Sequence, residues 1–583
     1  MRFTGALCAW GFATTLIVWA CAPRERQFDP SDDGSGGATM TVGGSAGVDG
    51  AAGAGMDRDT SSSCPPGYFD CNGDPSDGCE ATDVPLLEPP RPLAPFRGAY
   101  TGSLHAPAAA KTLRPTVEYA AVPGVCGDVR YEIVFDDSCK PGKLETCPFD
   151  TPELVDVTED TRYEPPSDLP VRQTPPVGAL YTWRVRACDA SERCSDWSAP
   201  SYLHVGRTEQ DLNGDGYADV LARSSMGTEV FFGGVNFNGQ ADARLAAGYY
   251  EAFVGDLNAD GFADVAGNIE GWEDCSSVGG VTKVIYGGPD LANVEEQVLC
   301  RTSGSPSVER HHAEVGDLNG DGFDDLAVAW GYNSTEASLM IFSGGDQVAA
   351  EPATEASVAT PGLPYPLNRG FQAIRGRGDY DADGISDVVV VTASTGEIRG
   401  RYYVLLGQAE LSRSFDIEID DETCFHPRWL EKAGDVNQDG KDDWVILCVE
   451  ADLESHRLAF LLGGTPAEGA LDHRWTTDLA LTSTSSLLDF DGDGVPEFLV
   501  GVSSAHPAVW RPDSDQAEVD RYSRVNVGTR IDVADHNGDG RPDVVFGGGD
   551  GVVLRAGSSL SFNVVPTELR TPGDATGGLT LCF

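Results

Sequence analysis

At 583 residues the chain is longer than a single hydrophobic core serves, so several domains are expected. Its 92 acidic and 40 basic side chains give a formal charge of −52, which repels nucleic acid and anionic lipid surfaces and argues against both as partners. A hydrophobic content of 40% argues against disorder throughout, so the acidic excess points to bound cations.

Residues 1–21, MRFTGALCAWGFATTLIVWAC, set one Arg before an apolar run of signal-peptide length and end in a small residue and a Cys. Val18, Trp19, Ala20 and Cys21 resemble the lipobox of bacterial lipoproteins, with Trp19 departing from the small residue usual there. The resemblance implies lipidation at Cys21 and an exported protein held on the bacterial outer membrane or cell surface; plain secretion is the alternative. No later apolar run approaches the ~20 residues that span a bilayer, so that lipid would be the sole membrane contact. Residues 22–63, rich in Gly, Ala, Ser and Asp, read as a flexible tether. In residues 64–88, Cys64, Cys71 and Cys79 stand in a Gly/Pro/Asp-rich stretch too short for a core, and a cross-linked knot is expected.

Residues 89–207 alternate strand-like runs, among them RPTVEYAAV, VRYEIVFD, LYTWRVRACD and SYLHV, with Pro- and Asp-rich turns, the pattern of a β-sandwich. LYTWRVRACDASERCSDWSAPSYLHVG resembles the last two strands of a fibronectin type III module, with Tyr181 at the corner-tyrosine position. Two departures stand out: Tyr119 occupies a position more often held by Trp, and the stretch from Cys139 to Pro175 is longer than that family needs. Cys188 and Cys194 flank the hairpin between those strands and could staple it. The cysteines after Cys21 form no CxxC arrangement in a chain read as exported, so disulfides are expected in place of zinc.

Residues 208–583 carry seven copies of D-x-[DN]-x-D-G-x-x-[DE]. A hard cation needs six to eight oxygens, and side chains at positions 1, 3 and 5 converge on one point only if the backbone wraps around it. Position 7 varies, as expected if only its carbonyl coordinates, and position 9 is always acidic. The candidate calcium ligands are Asp211, Asn213, Asp215, Tyr217 and Asp219 in the first loop, and Asp256, Asn258, Asp260, Phe262 and Asp264 in the second. Asp317, Asn319, Asp321, Phe323 and Asp325 form the third, and Asp379, Asp381, Asp383, Ile385 and Asp387 the fourth. The fifth holds Asp435, Asn437, Asp439, Lys441 and Asp443, the sixth Asp489, Asp491, Asp493, Val495 and Glu497, and the seventh Asp535, Asn537, Asp539, Arg541 and Asp543. Gly at position 6, from Gly216 to Gly540, permits the sharp turn. A plain Asp-Gly hairpin turn would not need oxygen ligands at four positions in seven places. Position 12, where an EF-hand has its bidentate Glu, is Ala222, Gly267, Val328, Val390, Ile446, Val500 and Phe546, and β-type runs follow each loop. These loops therefore join strands, not helices.

The copies start 45 to 62 residues apart, enough for one four-stranded blade plus loops. A third strand ending in Gly recurs, as in TEVFFGG, TKVIYGG and LMIFSGG. Strand, acidic loop, strand and aromatic strand ending in Gly resemble the FG-GAP repeat, and seven in tandem resemble the β-propeller of integrin α chains; secreted bacterial proteins with such repeats are a nearer likeness. The resemblance implies an all-β protein whose seven-bladed propeller binds up to seven structural Ca2+. It departs from integrins in carrying an acidic loop in every repeat. The first repeat lacks a first strand of its own, and GGLTLCF, residues 577–583, is expected to supply it. Strand positions predict disulfides Cys275 to Cys300 and Cys424 to Cys448 on the face away from the loops, where Trp272, His311, His312, His426 and Trp429 are also expected. The functional expectation is a non-enzymatic scaffold for adhesion or recognition of a protein or glycan. The alternative is a propeller enzyme, a lyase or hydrolase of polysaccharide, although no HExxH, P-loop or credible GxSxG motif is present.

Overall fold

The computed structural model describes residues 87–581 apart from 270–280, 301–309, 360–370, 465–471, 489–496, 511–529, 556–566, 569–579 and several shorter stretches; it also describes the pairs 68–69 and 81–82. Cys21, Trp272, Cys275, Asp489, Asp491, Asp493 and Val495 lie outside the described residues. The fold is all-β, with two short 3-10 turns among the described residues.

The first body is a sandwich. Strands Pro92–Ala94, Val117–Tyr119 and Arg162–Tyr163 form one sheet. The other runs in the order Ala99–Tyr100, Ser201–Val205, Ala179–Cys188, Arg130–Asp136, Leu154–Thr158. Alternation fixes which residues face inward: Tyr131, Ile133 and Phe135 from one strand meet Tyr181, Trp183 and Val185 from its neighbour in a single core. The Tyr181 hydroxyl donates to the carbonyl of Pro170 at 2.7 Å.

Seven sheets follow in chain order, six of four strands and one of three among the described residues. The three-stranded sheet holds Leu481–Thr484, Phe498–Val502 and Ala508–Trp510. First strands of consecutive sheets pack against one another, from Tyr249–Gly255 to Arg310–Glu314, Phe371–Gly378, His426–Gly434, Leu481–Thr484 and Arg530–Ala534. The C-terminal strand Thr580–Leu581 closes the ring: it pairs antiparallel with Val220–Ser224 of the first sheet, Leu581 opposite Ala222, and touches the last sheet as well. Such closure gives the first sheet the inner strand it otherwise lacks.

Each second strand is buried on both faces, which explains runs without alternation. In Asp387–Thr392, Val388 and Val390 enter the core shared with the preceding sheet, while Val389 and Val391 enter the core shared with the next, against Trp444. Each such valine contributes about 1.5–3 kcal/mol by burial. Disulfides join Cys139 to Cys147, Cys188 to Cys194 and Cys424 to Cys448. Cys300 is also disulfide-bonded.

Candidate metal centres

The acidic loops connect first and second strands, except that the first runs from the sandwich strand Ser201–Val205 into Val220–Ser224, and all six with described ligands at positions 1, 3 and 5 are built alike. The position 1 carboxylate accepts the N–H groups of positions 5 and 6; in the third loop, Asp321 N donates to Asp317 Oδ1 at 3.1 Å and Gly322 N to Oδ2 at 2.7 Å. The position 3 oxygen accepts from position 5, and the position 5 oxygen from position 7, as at Asn319 and Asp321. Loops one, two, four, five and seven repeat these bonds. The result is a backbone wrapped around a cluster of side-chain oxygens.

Position 9 ties the loop to its sheet. Oδ2 of Asp219, Asp264, Asp325, Asp387, Asp443 and Asp543 accepts the N–H of position 2 in its own loop. In the first five, Oδ1 accepts the N–H of the glycine two residues past the third strand: Gly233, Gly287, Gly344, Gly407 and Gly463. The recurrent glycine is thereby explained. A Cβ there would lie 2.1 to 2.6 Å from the position 8 carbonyl of the same sheet's loop. The next residue's N–H reaches the position 2 carbonyl of the preceding loop, from Gly234 to His536, Gly288 to Leu212, Gly345 to Leu257, Gln408 to Leu318 and Gly464 to Tyr380. Neighbouring loops thus form a hydrogen-bonded chain that crosses the ring closure, where His536 Nδ1 also donates to Ala218 O at 2.7 Å.

Position 4 carries a requirement the sequence pattern hides. It is left-handed in all six loops, with Gly214, Gly320 and Gly538 at φ 73°, 76° and 73° and Ala259, Ala382 and Gln438 at 54°, 63° and 62°.

The electrostatics suit a cation. In the fourth loop one oxygen each of Asp379, Asp381 and Asp387 lie within 4.8 Å of one another. Burial pushes the Asp211 carboxyl up to about 7, with the Asp215 charge adding to it. Burial likewise drives Asp256 to about 8, Asp379 to about 7, Asp387 to about 9 and Asp443 to about 6. Clustered carboxylates withdrawn from water resist ionisation, and a hard divalent ion among them relieves both burial and mutual repulsion. In the sixth loop Glu497 is buried and its backbone pairs with Leu488.

Of the His and Trp residues expected on the far face, Trp272 lies outside the described residues, and those described are tied into the sheets. His312 and His426 are buried, bonded to Thr282 Oγ1 and Ser394 Oγ, and Trp429 Nε1 donates to Thr484 O. Along the ring axis lies a cavity of about 470 Å3 lined in part by Phe96, Arg375, Arg377, Glu431, Lys432 and Asp532. Its cations are matched: Arg375 pairs with Glu431 at 3.0 Å, Arg377 with Asp324 at 2.7 Å and Lys432 with Asp442 at 2.9 Å.

Comparison with known proteins agrees with a repeat of this kind. The FG-GAP-like repeat family matches residues 489–546, which span the sixth and seventh loops. Human integrin alpha-8 is 23% identical over 254 residues, covering 40% of this chain and 24% of the integrin, so the chain spans about a quarter of that relative's length. Among solved structures, an Agrocybe aegerita lectin that recognises non-reducing terminal N-acetylglucosamine aligns at a TM-score of 0.36 and 14% identity over 61% of this chain and 90% of its own. AofleA from Arthrobotrys oligospora aligns at 0.29 and 10%, over 47% and 75%. The propeller-like layout is carried by the sheets of this chain itself. Its disulfides and integrin similarity fit an extracellular protein, and among the described residues no helix is long and apolar enough to cross a membrane.

Proposed function

We propose that the chain is an exported seven-bladed calcium β-propeller with a fibronectin type III-like sandwich, acting as a rigid, non-enzymatic scaffold that recognises a protein or glycan. The observation that carries this reading is the common hydrogen-bond pattern of six loops, which wraps the backbone around side-chain oxygens at positions 1, 3 and 5, with three carboxylates of the fourth loop within 4.8 Å of one another, as a hard cation requires. In this reading Ca2+ is structural, up to seven ions, and supplies the positive charge that offsets the buried carboxylates. Binding the folded state alone, it raises stability by mass action. Support for seven blades comes from the seven sheets and their closure by Thr580–Leu581. Support for the sandwich assignment comes from its three- and five-stranded sheets and the Tyr181 to Pro170 bond. Lipid attachment at Cys21 would hold the scaffold at a bacterial surface.

The test is to present the full chain to an array of glycans and to candidate polysaccharides, in calcium and in chelator, scoring retention and chain cleavage. Calcium-dependent retention without cleavage is expected. Cleavage would replace the reading with that of a polysaccharide lyase or hydrolase.

A further inference from the structure

The sandwich sits on the loop face of the ring. Its contacts with the first loop are Ser103 Oγ donating to Gly216 O, His105 Nε2 donating to Asp215 O at 2.8 Å and Val177 N donating to Gly214 O at 3.0 Å. On the third loop Gly142 N donates to Asp321 O at 2.6 Å and the Tyr202 hydroxyl to Asp317 Oδ2 at 2.7 Å. On the fourth, Arg97 N donates to Gly384 O at 3.1 Å. Five of these six bonds end on carbonyls at positions 4, 5 and 6, the part of the loop whose left-handed and turn residues aim its oxygens outward.

Steric fit repeats the pattern. A Cβ on Gly322 would meet Leu144 at 2.7 Å, one on Gly216 would meet Val177 at 2.9 Å and one on Gly261 would meet Pro176 at 2.8 Å; one on Gly540 would meet Ala110 at 3.0 Å. Nothing lies within 4 Å of a Cβ on either Gly384 or Gly440, but Gly384 is buried and bonded to Arg97, whereas Asp435, Asn437 and Asp439 of the fifth loop are exposed where Asp317 is buried. The segment between Cys139 and Cys147, part of the stretch too long for the sandwich alone, supplies Pro141, Gly142 and Leu144 to this contact.

We propose that the loop face is the docking surface of the chain's own sandwich, and that cation occupancy of the covered loops and docking of the sandwich are thermodynamically coupled. The proposal rests on the calcium reading above. The sandwich reads backbone carbonyls whose directions exist only while the loop is wrapped, and the wrapped loop holds its carboxylates together only at a cost that a cation offsets. Whatever favours one state favours the other, so docking tightens cation binding by the same factor by which the cation tightens docking. Of the described loops the fifth is the most open to an outside partner of this face.

The test is hydrogen exchange on the full chain, with calcium or with chelator, beside a calorimetric calcium titration. Chelation should cut protection of residues 97–106 and 140–146 by at least about fivefold, together with loops one and three, while strands Ala179–Cys188 and Asp387–Thr392 keep theirs. If the sandwich segments stay protected while calcium binds and leaves the loops, the coupling is wrong and the calcium reading stands. If the titration shows no calcium uptake, both fall. Should chelation also strip protection from Asp387–Thr392, Leu144→Asp and Tyr202→Phe measured in calcium decide: a calcium midpoint raised severalfold by either supports the coupling, and an unchanged midpoint in both overturns it.

Discussion

The Tyr202 hydroxyl, on the last strand of the sandwich, donates to Asp317 Oδ2, the first residue of the third acidic loop, and Asp317 is 1% exposed. A hydrogen bond to a buried carboxylate contributes about 1.5–3 kcal/mol. Tyr202→Phe keeps the ring and removes only that bond, so the full chain should unfold at lower denaturant concentration. An unchanged midpoint would mean that the contact carries no energy.

Adjacent glycines just past one strand should respond oppositely to the same change. A Cβ on Gly287 would lie 2.3 Å from the Ala263 carbonyl, whereas one on Gly288 would have Val294 at 3.5 Å as its nearest neighbour. Gly287→Ala also presses on the backbone whose N–H binds Asp264, and should cost about 3 kcal/mol or more in line with overpacking. Gly288→Ala should fall within about 1 kcal/mol of wild type. Thermal melts of the two variants, side by side, check the asymmetry.

Gln438 offers a gain. It is exposed, sits at φ 62° and does the work that Gly does at position 4 of three other loops. Left-handed backbone costs a side-chain-bearing residue about 1–2 kcal/mol, and the extra freedom of Gly in the unfolded chain returns part of that. Gln438→Gly should therefore raise the melting temperature modestly, and a drop would show that the side chain contributes something further.

The pH dependence should change sign with calcium. In chelator, burial holds the folded-state pKa of Asp211 and Asp317 at about 7, Asp256 at about 8 and Asp387 at about 9, all above the unfolded carboxylate value. The folded state then binds more protons between the two values, so stability falls as pH rises from about 5 to about 9. With saturating calcium the carboxylates are held ionised, protons compete with the ion, and stability should fall as pH is lowered from 7 to 5. Melts across pH in both conditions read the two slopes directly.

Much of this was legible because the loop chemistry lives in side chains at fixed spacing: positions 1, 3, 5 and 9 identify themselves, and the strand runs around them need no tertiary information. Position 4 escaped because Ala259, Ala382 and Gln438 mask a left-handed requirement that Gly214, Gly320 and Gly538 hint at. The glycines just past the third strands were visible as a recurrence, but their reason, the close carbonyl of position 8, exists only once the sheet is folded. Docking of the sandwich was invisible for a related cause. It is made mostly to backbone carbonyls, which leave no trace in residue identity, and the surplus length between Cys139 and Pro175 was the one outward sign.

Calcium in the acidic loops is the claim on which the rest depends, and counting ions tests it most directly. The full chain, stripped with chelator and titrated with Ca2+ under native mass spectrometry, should take up several ions, as many as seven, with a parallel rise in melting temperature of the same samples. A chain that takes up none, and melts at the same temperature in calcium as in chelator, would contradict it.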